Sequence, residues 1–366
     1  MGTDIKLPRV YAECVLDDHI ITTLDPLGAD EFFMKELPKL NMIGDIQQIY
    51  ETFAIYLHLS DVRGLSKLEA AAATRDVAIV ASSLVRHGAE IQQFPELETT
   101  LIKLSEVSDE IPADTVTSYG PRNPCDHRMR TFTGEPEERS FILCVVEGMR
   151  SLPAAVAALD VAQEYPPDGP EFSRLVRVAA DNFAAMISSI AEVNRRITPE
   201  YFTSKLRPYF EPKVIGGKKY LAPGGAQMPI ILIDLALWSG EDNNSQYVRY
   251  WNENIGYLPA KLRIRAQKIV RSGSLLQKLK RWSDSPESSR QTNKPFVMAS
   301  LDAVEELIVA LQKFRYPHLK IAEANMAVRP KGAVGSGGYN TDILKLLIAN
   351  SEFARKTIQE LRKNLN

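Results

Sequence analysis

Five histidines, His19, His58, His87, His127 and His318, are the side chains of this sequence best suited to holding a metal or moving a proton near neutral pH. No two of them stand at a metal-ligand spacing such as HExxH, which argues against a zinc hydrolase. The chain also lacks GxSxG, GxxxxGK[ST] and a GxGxxG after a strand, so serine-hydrolase, P-loop and Rossmann chemistries are set aside. A site built on one histidine remains. His318 lies in a helical pattern of apolar positions, Leu307, Leu311, Phe314, His318 and Ile321, whose steps of four and three residues turn it toward a helix-bundle core. Pro317, just before it, removes the N–H that would bond the carbonyl of Lys313 and is expected to kink or loosen the helix. An imidazole so placed could be an axial ligand to haem iron. The same spacing also fits a plain core histidine bonded to a carbonyl.

Two further groupings have chemical content. Phe202 and Arg207, in Tyr201-Phe-Thr-Ser-Lys-Leu-Arg-Pro-Tyr-Phe-Glu211, set a flat ring and a guanidinium five residues apart. A guanidinium grips a carboxylate with two parallel N–H groups, and phenylalanine suits a planar ring; a surface ion pair is the alternative for Arg207. Gly335-Ser-Gly-Gly-Tyr339 precedes a final helical pattern, where a glycine-rich turn offers N–H groups and a hydroxyl to an anion, or is simply a flexible loop. Cys14, Cys125 and Cys144 are odd in number and far apart, which excludes a disulfide framework and a CxxC zinc site. Cys144, inside Phe141-Ile-Leu-Cys-Val-Val146, reads as a buried, inert thiol.

The elements that must position these groups are helices. Phe172 to Val193 carries one long apolar face, with Pro170 suited to its first turn and Pro199 beyond its end. Asp45 to Leu59, the alanine-rich Leu68 to Val85, a helix capped by Ser300, and Ile343 to Leu361 follow the same period. Lys213 to Leu221, with Gly216-Gly217 at its centre, reads as a small hairpin. An all-α fold is therefore predicted. Loops are placed at Asp109–Pro136, Pro212–Pro229, Trp282–Pro295 and Arg329–Tyr339, the first dividing a smaller N-terminal part, 1–135, from a larger helical part, 136–366. With 366 residues and roughly 150 per domain, two domains or one large one are expected. The balance of 44 Lys+Arg against 46 Asp+Glu offers no basic stripe for nucleic acid. The apolar run Met228–Trp238, interrupted by Asp234, falls short of a membrane span. The first residues, Met1-Gly-Thr-Asp-Ile-Lys6, show no export pattern, so the cytoplasm is the expected compartment.

Arg315-Tyr-Pro-His-Leu-Lys-Ile321, followed by Gly-Ser-Gly-Gly-Tyr and a closing helix, resembles the indoleamine and tryptophan dioxygenase superfamily of haem proteins. Within it, the chain is similar to the monodechloroaminopyrrolnitrin synthase family of pyrrolnitrin biosynthesis. That resemblance runs in order through Leu24-Asp-Pro-Leu27, Leu37-Pro-Lys-Leu-Asn41, Glu69-Ala-Ala-Ala-Ala-Thr-Arg-Asp76 and Arg86-His-Gly88. It continues in Leu206-Arg-Pro208, Glu211-Pro212, Gly216-Gly217, Tyr220-Leu221, Met228-Pro229 and Phe314 to Glu323.

The resemblance implies a helical bundle enclosing haem b, with His318 as the proximal iron ligand. It implies Arg207 on the carboxylate of a tryptophan-like amino acid, Phe202 along the indole, and Ser336 and Gly337 in a loop that closes over the substrate. Met326 stands where the family carries a tyrosine eight residues past the haem ligand, and the stretch from His318 to Ser336 is one residue shorter. The activity implied is oxidative rearrangement of tryptophan or 7-chlorotryptophan to an aminophenylpyrrole, with dioxygen or peroxide as oxidant and no membrane or nucleic-acid partner. Two other outcomes stay open: 2,3-dioxygenation of the indole to a formylkynurenine-type product, and a haem-free helical ligand-binding protein. No distal acid or base is singled out, and the oligomeric state is not fixed.

Overall fold

The structure, a computed structural model, describes residues 8–58, 62–239, 245–285, 293–330, 334–335 and 337–365. Among these, fourteen helices have nine residues or more. In chain order they are α1 (Arg9–Thr23), α2 (Ile46–His58), α3 (Lys67–Arg86), α4 (Pro95–Ser108), α5 (Pro136–Met149), α6 (Leu152–Ala162) and α7 (Pro170–Asn182). Then come α8 (Ala184–Arg196), α9 (Ile230–Trp238), α10 (Ser245–Ile255), α11 (Ala260–Ser272), α12 (Leu275–Ser283), α13 (Lys294–Ala327) and α14 (Asp342–Leu365). Two three-residue strands, β1 (Lys213–Ile215) and β2 (Lys218–Tyr220), are the only sheet among the described residues. The fold is all-α. The hairpin forms as predicted: Lys213 faces Tyr220, and Gly216 and Gly217 supply the two positive φ angles, +59° and +73°, that its turn demands.

Several helix boundaries follow directly from local chemistry. Ser66 caps α3 in a reciprocal box: its hydroxyl accepts the Glu69 N–H at 3.3 Å and its own N–H donates to Glu69 Oε2 at 2.8 Å. Behind that cap, every residue from Ala70 to Leu84 is buried, because small side chains let neighbours close on all sides. Pro170 opens α7 and α8 ends at Arg196, before Pro199. The long helix predicted across 172–193 is two helices. Ser151 donates its hydroxyl to the Asn182 carbonyl, taking the acceptor that the next turn would use, and the Phe183 N–H turns back to Ala180 at 3.1 Å.

The expected cap at Ser300 is also corrected. Helix α13 begins six residues earlier, with Pro295 in its first turn, and Ser300 is buried inside it, donating to the Pro167 carbonyl at 2.6 Å. Helix α13 runs on through Pro317 to Ala327, so the proline does not end it. The stretch Pro136–Ala162 is long and apolar enough to cross a membrane by composition, a feature the shorter run at 228–238 did not reveal; most of it is buried here as α5 and α6.

Two hydrophobic cores organise the chain. One gathers α3, α4, the 32–40 segment and residues 206–222; the other gathers α6 to α9, α11 to α14 and Tyr11 of α1. Side chains from both sides of residue 135 enter both cores, for example Tyr11 and Val116 in the second and Ile142 and Phe210 in the first. Helix α13 packs on α7, α8 and α14, which fixes the face carrying His318.

Candidate active site

His318 projects from α13 into the wall shared by two adjoining cavities, of about 180 Å³ and 360 Å³. The larger falls within the roughly 300–1,000 Å³ usual for small-molecule sites. The buried face Leu301, Val304, Leu307, Leu311 and Phe314 anchors this helix, so the imidazole emerges where the core opens. Its ring lies 5.3 Å from that of Phe314, and Gly225 backs onto it closely enough that an added Cβ would sit 3.6 Å from Cε1. Burial pushes the His318 pKa down to about 4, and the nearby Arg315 charge acts in the same direction. The ring is therefore neutral near pH 7. Neither ring nitrogen hydrogen-bonds to a described residue.

The larger cavity is walled by side chains of both cores: Val116, Val145, Met186 and Ile190 from one, Tyr119 and Phe210 from the other. Phe202 lines both cavities, with its ring 5.5 Å from Phe141 and 6.4 Å from Phe210. The chain reaches this spot irregularly. Thr198 caps a single turn opened by Pro199, the backbone widens to a π turn over Phe202–Leu206, and it tightens again over Arg207–Tyr209. Such a turn re-aims consecutive side chains and is common at functional sites. It brings Phe202 and Arg207 to the same cavity as His318.

Arg207 is 3% exposed and already engaged. Its Nη1 donates to Glu211 Oε1 at 2.8 Å and to the Phe210 carbonyl; its Nη2 donates to the carbonyls of Val334 and Gly335, both at 3.2 Å. Only Nε–H, also buried, has no partner among the described residues. Burial lowers the guanidinium pKa, Glu211 opposes that, and Arg329 adds to it. The glycine-rich segment is thus tied to the arginine. Two of its N–H groups are already engaged within the segment: Gly335 donates to the Tyr339 carbonyl at 2.7 Å and Gly338 to the Gly335 carbonyl at 3.0 Å. Gly337 packs against Gly224 and Ala226 and lines the smaller cavity, as does Met326, whose Cε lies against Gly335. Ser336 lies outside the described residues.

The family model described as monodechloroaminopyrrolnitrin synthase PrnB matches residues 56–364. The chain belongs to this family. As a monodechloroaminopyrrolnitrin synthase family member it is an oxidoreductase of pyrrolnitrin-type antibiotic biosynthesis, acting in the oxidative rearrangement of a tryptophan-derived substrate. The match begins ahead of α3 and ends within α14, so both cores and both cavities fall largely inside it.

Three features of this family member's site were not singled out from sequence. Asp234, the one charge in the apolar run of α9, is buried and accepts two hydrogen bonds from Nη2 of Arg315, three residues before His318. Burial pushes the Asp234 carboxyl upward against the pull of that guanidinium. Arg315 stacks 5.5 Å from Trp238, and its Nη1 is buried without a partner among the described residues. The signal was present as a charge inside an apolar run, which rarely survives burial unpaired. Arg329, just past the end of α13, lines the smaller cavity and donates to the Val334 carbonyl at 2.6 Å. Tyr339 forms the outer wall, donating to Glu253 at 2.7 Å and accepting from Asn254 at 2.7 Å.

The other histidines are elsewhere. His58 pairs with Glu96 at 2.8 Å on the surface, His87 lies against Gly44, and none of the remaining four lines either cavity. Cys144 is buried, and burial raises its thiol pKa, which suits the inert reading.

Proposed function

We propose that this enzyme is haem b-dependent, that His318 is the protein ligand of its iron, and that it converts tryptophan or 7-chlorotryptophan to an aminophenylpyrrole. The observation that carries the reading is the open imidazole. A histidine kept for packing is normally bonded to a carbonyl, whereas His318 is neutral and faces two cavities with no partner among the described residues. Such a ring nitrogen suits iron. Arg315 adds to the fit, because its buried, unpartnered Nη1 is a site for a carboxylate such as a haem propionate. When bound, the haem supplies the redox-active iron and a place for dioxygen or peroxide.

The chain's own contribution is binding and orientation. Phe202, Phe141 and Phe210 offer an aromatic slot to the indole, while Arg207 lies toward the carboxylate end. The Val334 and Gly335 carbonyls, both bonded to Arg207, fix the guanidinium's orientation at that end. Passing from 7-chlorotryptophan to the aminophenylpyrrole removes carbon dioxide and two hydrogen atoms. This is a two-electron oxidation, balanced by peroxide going to two waters or by dioxygen going to peroxide. It calls for no strong protein base. Asp234, the only carboxylate lining either cavity among the described residues, is spent on Arg315.

The test is the absorption spectrum of the haem-supplemented full chain, oxidised and then reduced under carbon monoxide, beside His318→Ala. A Soret band lost in the variant is expected. No Soret band in the wild type, or an unchanged one in the variant, overturns the haem assignment. Mass spectrometry of the product then reads the reaction: rearrangement lightens the substrate by carbon dioxide and two hydrogens, whereas dioxygenation adds two oxygens.

A further inference from the structure

Arg207 alone offers half a grip. A guanidinium has five N–H groups, and carboxylate recognition at its best uses two in parallel. In this chain four of the five are occupied by Phe210, Glu211, Val334 and Gly335, which leaves Nε–H. A substrate carboxylate therefore needs a second donor, and the same cavity provides one. Arg329 donates to the very carbonyl, Val334, that Arg207 also bonds, so the two guanidiniums flank one oxygen atom. Both line the smaller cavity together with His318. Glu211, half exposed, is the only carboxylate paired with either of them among the described residues. Two cations and one anion leave an uncompensated positive charge at the cavity wall, which an anionic ligand would neutralise.

We infer that Arg329 completes the carboxylate site: one substrate oxygen accepts Arg207 Nε–H and the other accepts from Arg329. The inference rests on the amino-acid substrate proposed above and makes Arg329 a specificity residue. It distinguishes an indole amino acid from the corresponding amine by an ion pair just past the end of α13, the helix that carries His318. Because Arg329 is tethered through Val334, binding there also draws on the position of the glycine-rich segment.

Titration calorimetry of the haem-supplemented full chain tests it, with L-tryptophan, tryptamine and indole-3-propionate as probes against wild type, Arg329→Gln and Arg329→Lys. Arg329→Gln is expected to weaken both carboxylates by roughly ten- to a hundredfold, the range for a charge-assisted hydrogen bond, and to leave tryptamine unchanged. Arg329→Lys should recover part of the loss. A tryptophan-to-tryptamine ratio in Arg329→Gln equal to that of wild type overturns the site while leaving the substrate reading intact. A fall in haem affinity with that ratio unchanged also overturns it, because Arg329 would then serve a haem propionate. If the wild type takes indole-3-propionate in an Arg329-dependent way but refuses tryptophan, the site stands and the amino-acid reading falls. A wild type that binds neither carboxylate overturns both. Arg329 is partly exposed at a helix end, so the variants should fold; thermal melts matching wild type check this.

Discussion

Replacing Asp234 by Asn probes the wall beside His318 most directly. Arg315 is 2% exposed, and its only side-chain hydrogen-bond partner among the described residues is the Asp234 carboxylate, which takes two bonds from Nη2. An asparagine carbonyl can accept at most one of these, and its NH₂ group meets donors. Stranding a buried charge in this way costs about 3–5 kcal/mol. Unfolding entropy of about 2.1 cal/mol/K per residue gives roughly 0.8 kcal/mol/K for a chain of this size. The melting temperature of the haem-free protein should then fall by ~4–7 °C, read by calorimetry at one fixed scan rate.

The double replacement Asp234→Val/Arg315→Met removes both charges. It should stay within about 2 °C of wild type, since a well-packed apolar pair commonly matches a buried ion pair. Haem should stabilise Asp234→Asn more than it stabilises wild type, because the stranded guanidinium gains a propionate. A shift below about 1 °C in Asp234→Asn, or a double variant as unstable as that single one, would refute the reasoning.

Two other outcomes test the frame around the site. Asp76 is fully buried between Arg75 and Arg130; burial works to raise its carboxyl pKa, but the two guanidiniums outweigh it and hold it below the usual range. A folded-state value below the unfolded one gives stability that is complete above the unfolded value of about 4 and is lost as pH falls through the folded value. Urea melts should therefore show wild type losing more stability than Asp76→Asn between pH 7 and acid, with Asp76→Asn about 3–5 kcal/mol weaker at pH 7; parallel acid losses would contradict this. Gly338 has φ +81°, and an added Cβ would lie 3.0 Å from Leu221 Cδ2. Gly338→Ala should cost about 1–2 kcal/mol locally, so amide exchange at residues 335 and 338, whose N–H groups close this turn, should speed up roughly 5- to 30-fold; unchanged exchange would show the turn to be unstrained.

What could be read in the sequence depended on how far apart the interacting residues lie. The start of α7 and the turn of the β1–β2 hairpin were legible because Pro170, Gly216 and Gly217 act within a few residues, whereas α3 was placed by its alanine-rich period and its Ser66–Glu69 cap went unread although it is just as local. The break at Phe183 was not, since Ser151 reaches it from 31 residues away. Ser300 looked like a cap because its partner, the Pro167 carbonyl, is 133 residues distant and carries no sequence signal. The same limit applies inside the site. The period of α13 turned His318 inward, and the family resemblance brought Phe202 and Arg207 beside it, where they indeed share a cavity. The Asp234–Arg315 pair spans 81 residues, and the occupancy of Arg207 by backbone carbonyls could not be inferred from side-chain types.

The distribution of charge along the cavity walls argues that the chain's contribution is orientation rather than proton transfer. Arg207 and Arg329 converge on Val334 at one side, while Phe141, Phe202 and Phe210 form an aromatic surface at the other. Tyr119, which also lines the larger cavity, donates its hydroxyl to Glu138, and that carboxylate is saturated by the Phe132 and Thr133 N–H groups and the Thr133 hydroxyl. Neither is free to act on a substrate. On the function proposed above, a ligand that is flat and apolar at one end and anionic at the other would be held in one direction by these walls. Fixing that direction is worth several kcal/mol of barrier when the reacting partner is also held. Under the same proposal, Met326, apolar and set against Gly335 on the wall of the smaller cavity, would bear on the fit of the ring or its substituents and not on the polarity that sets which way the substrate points.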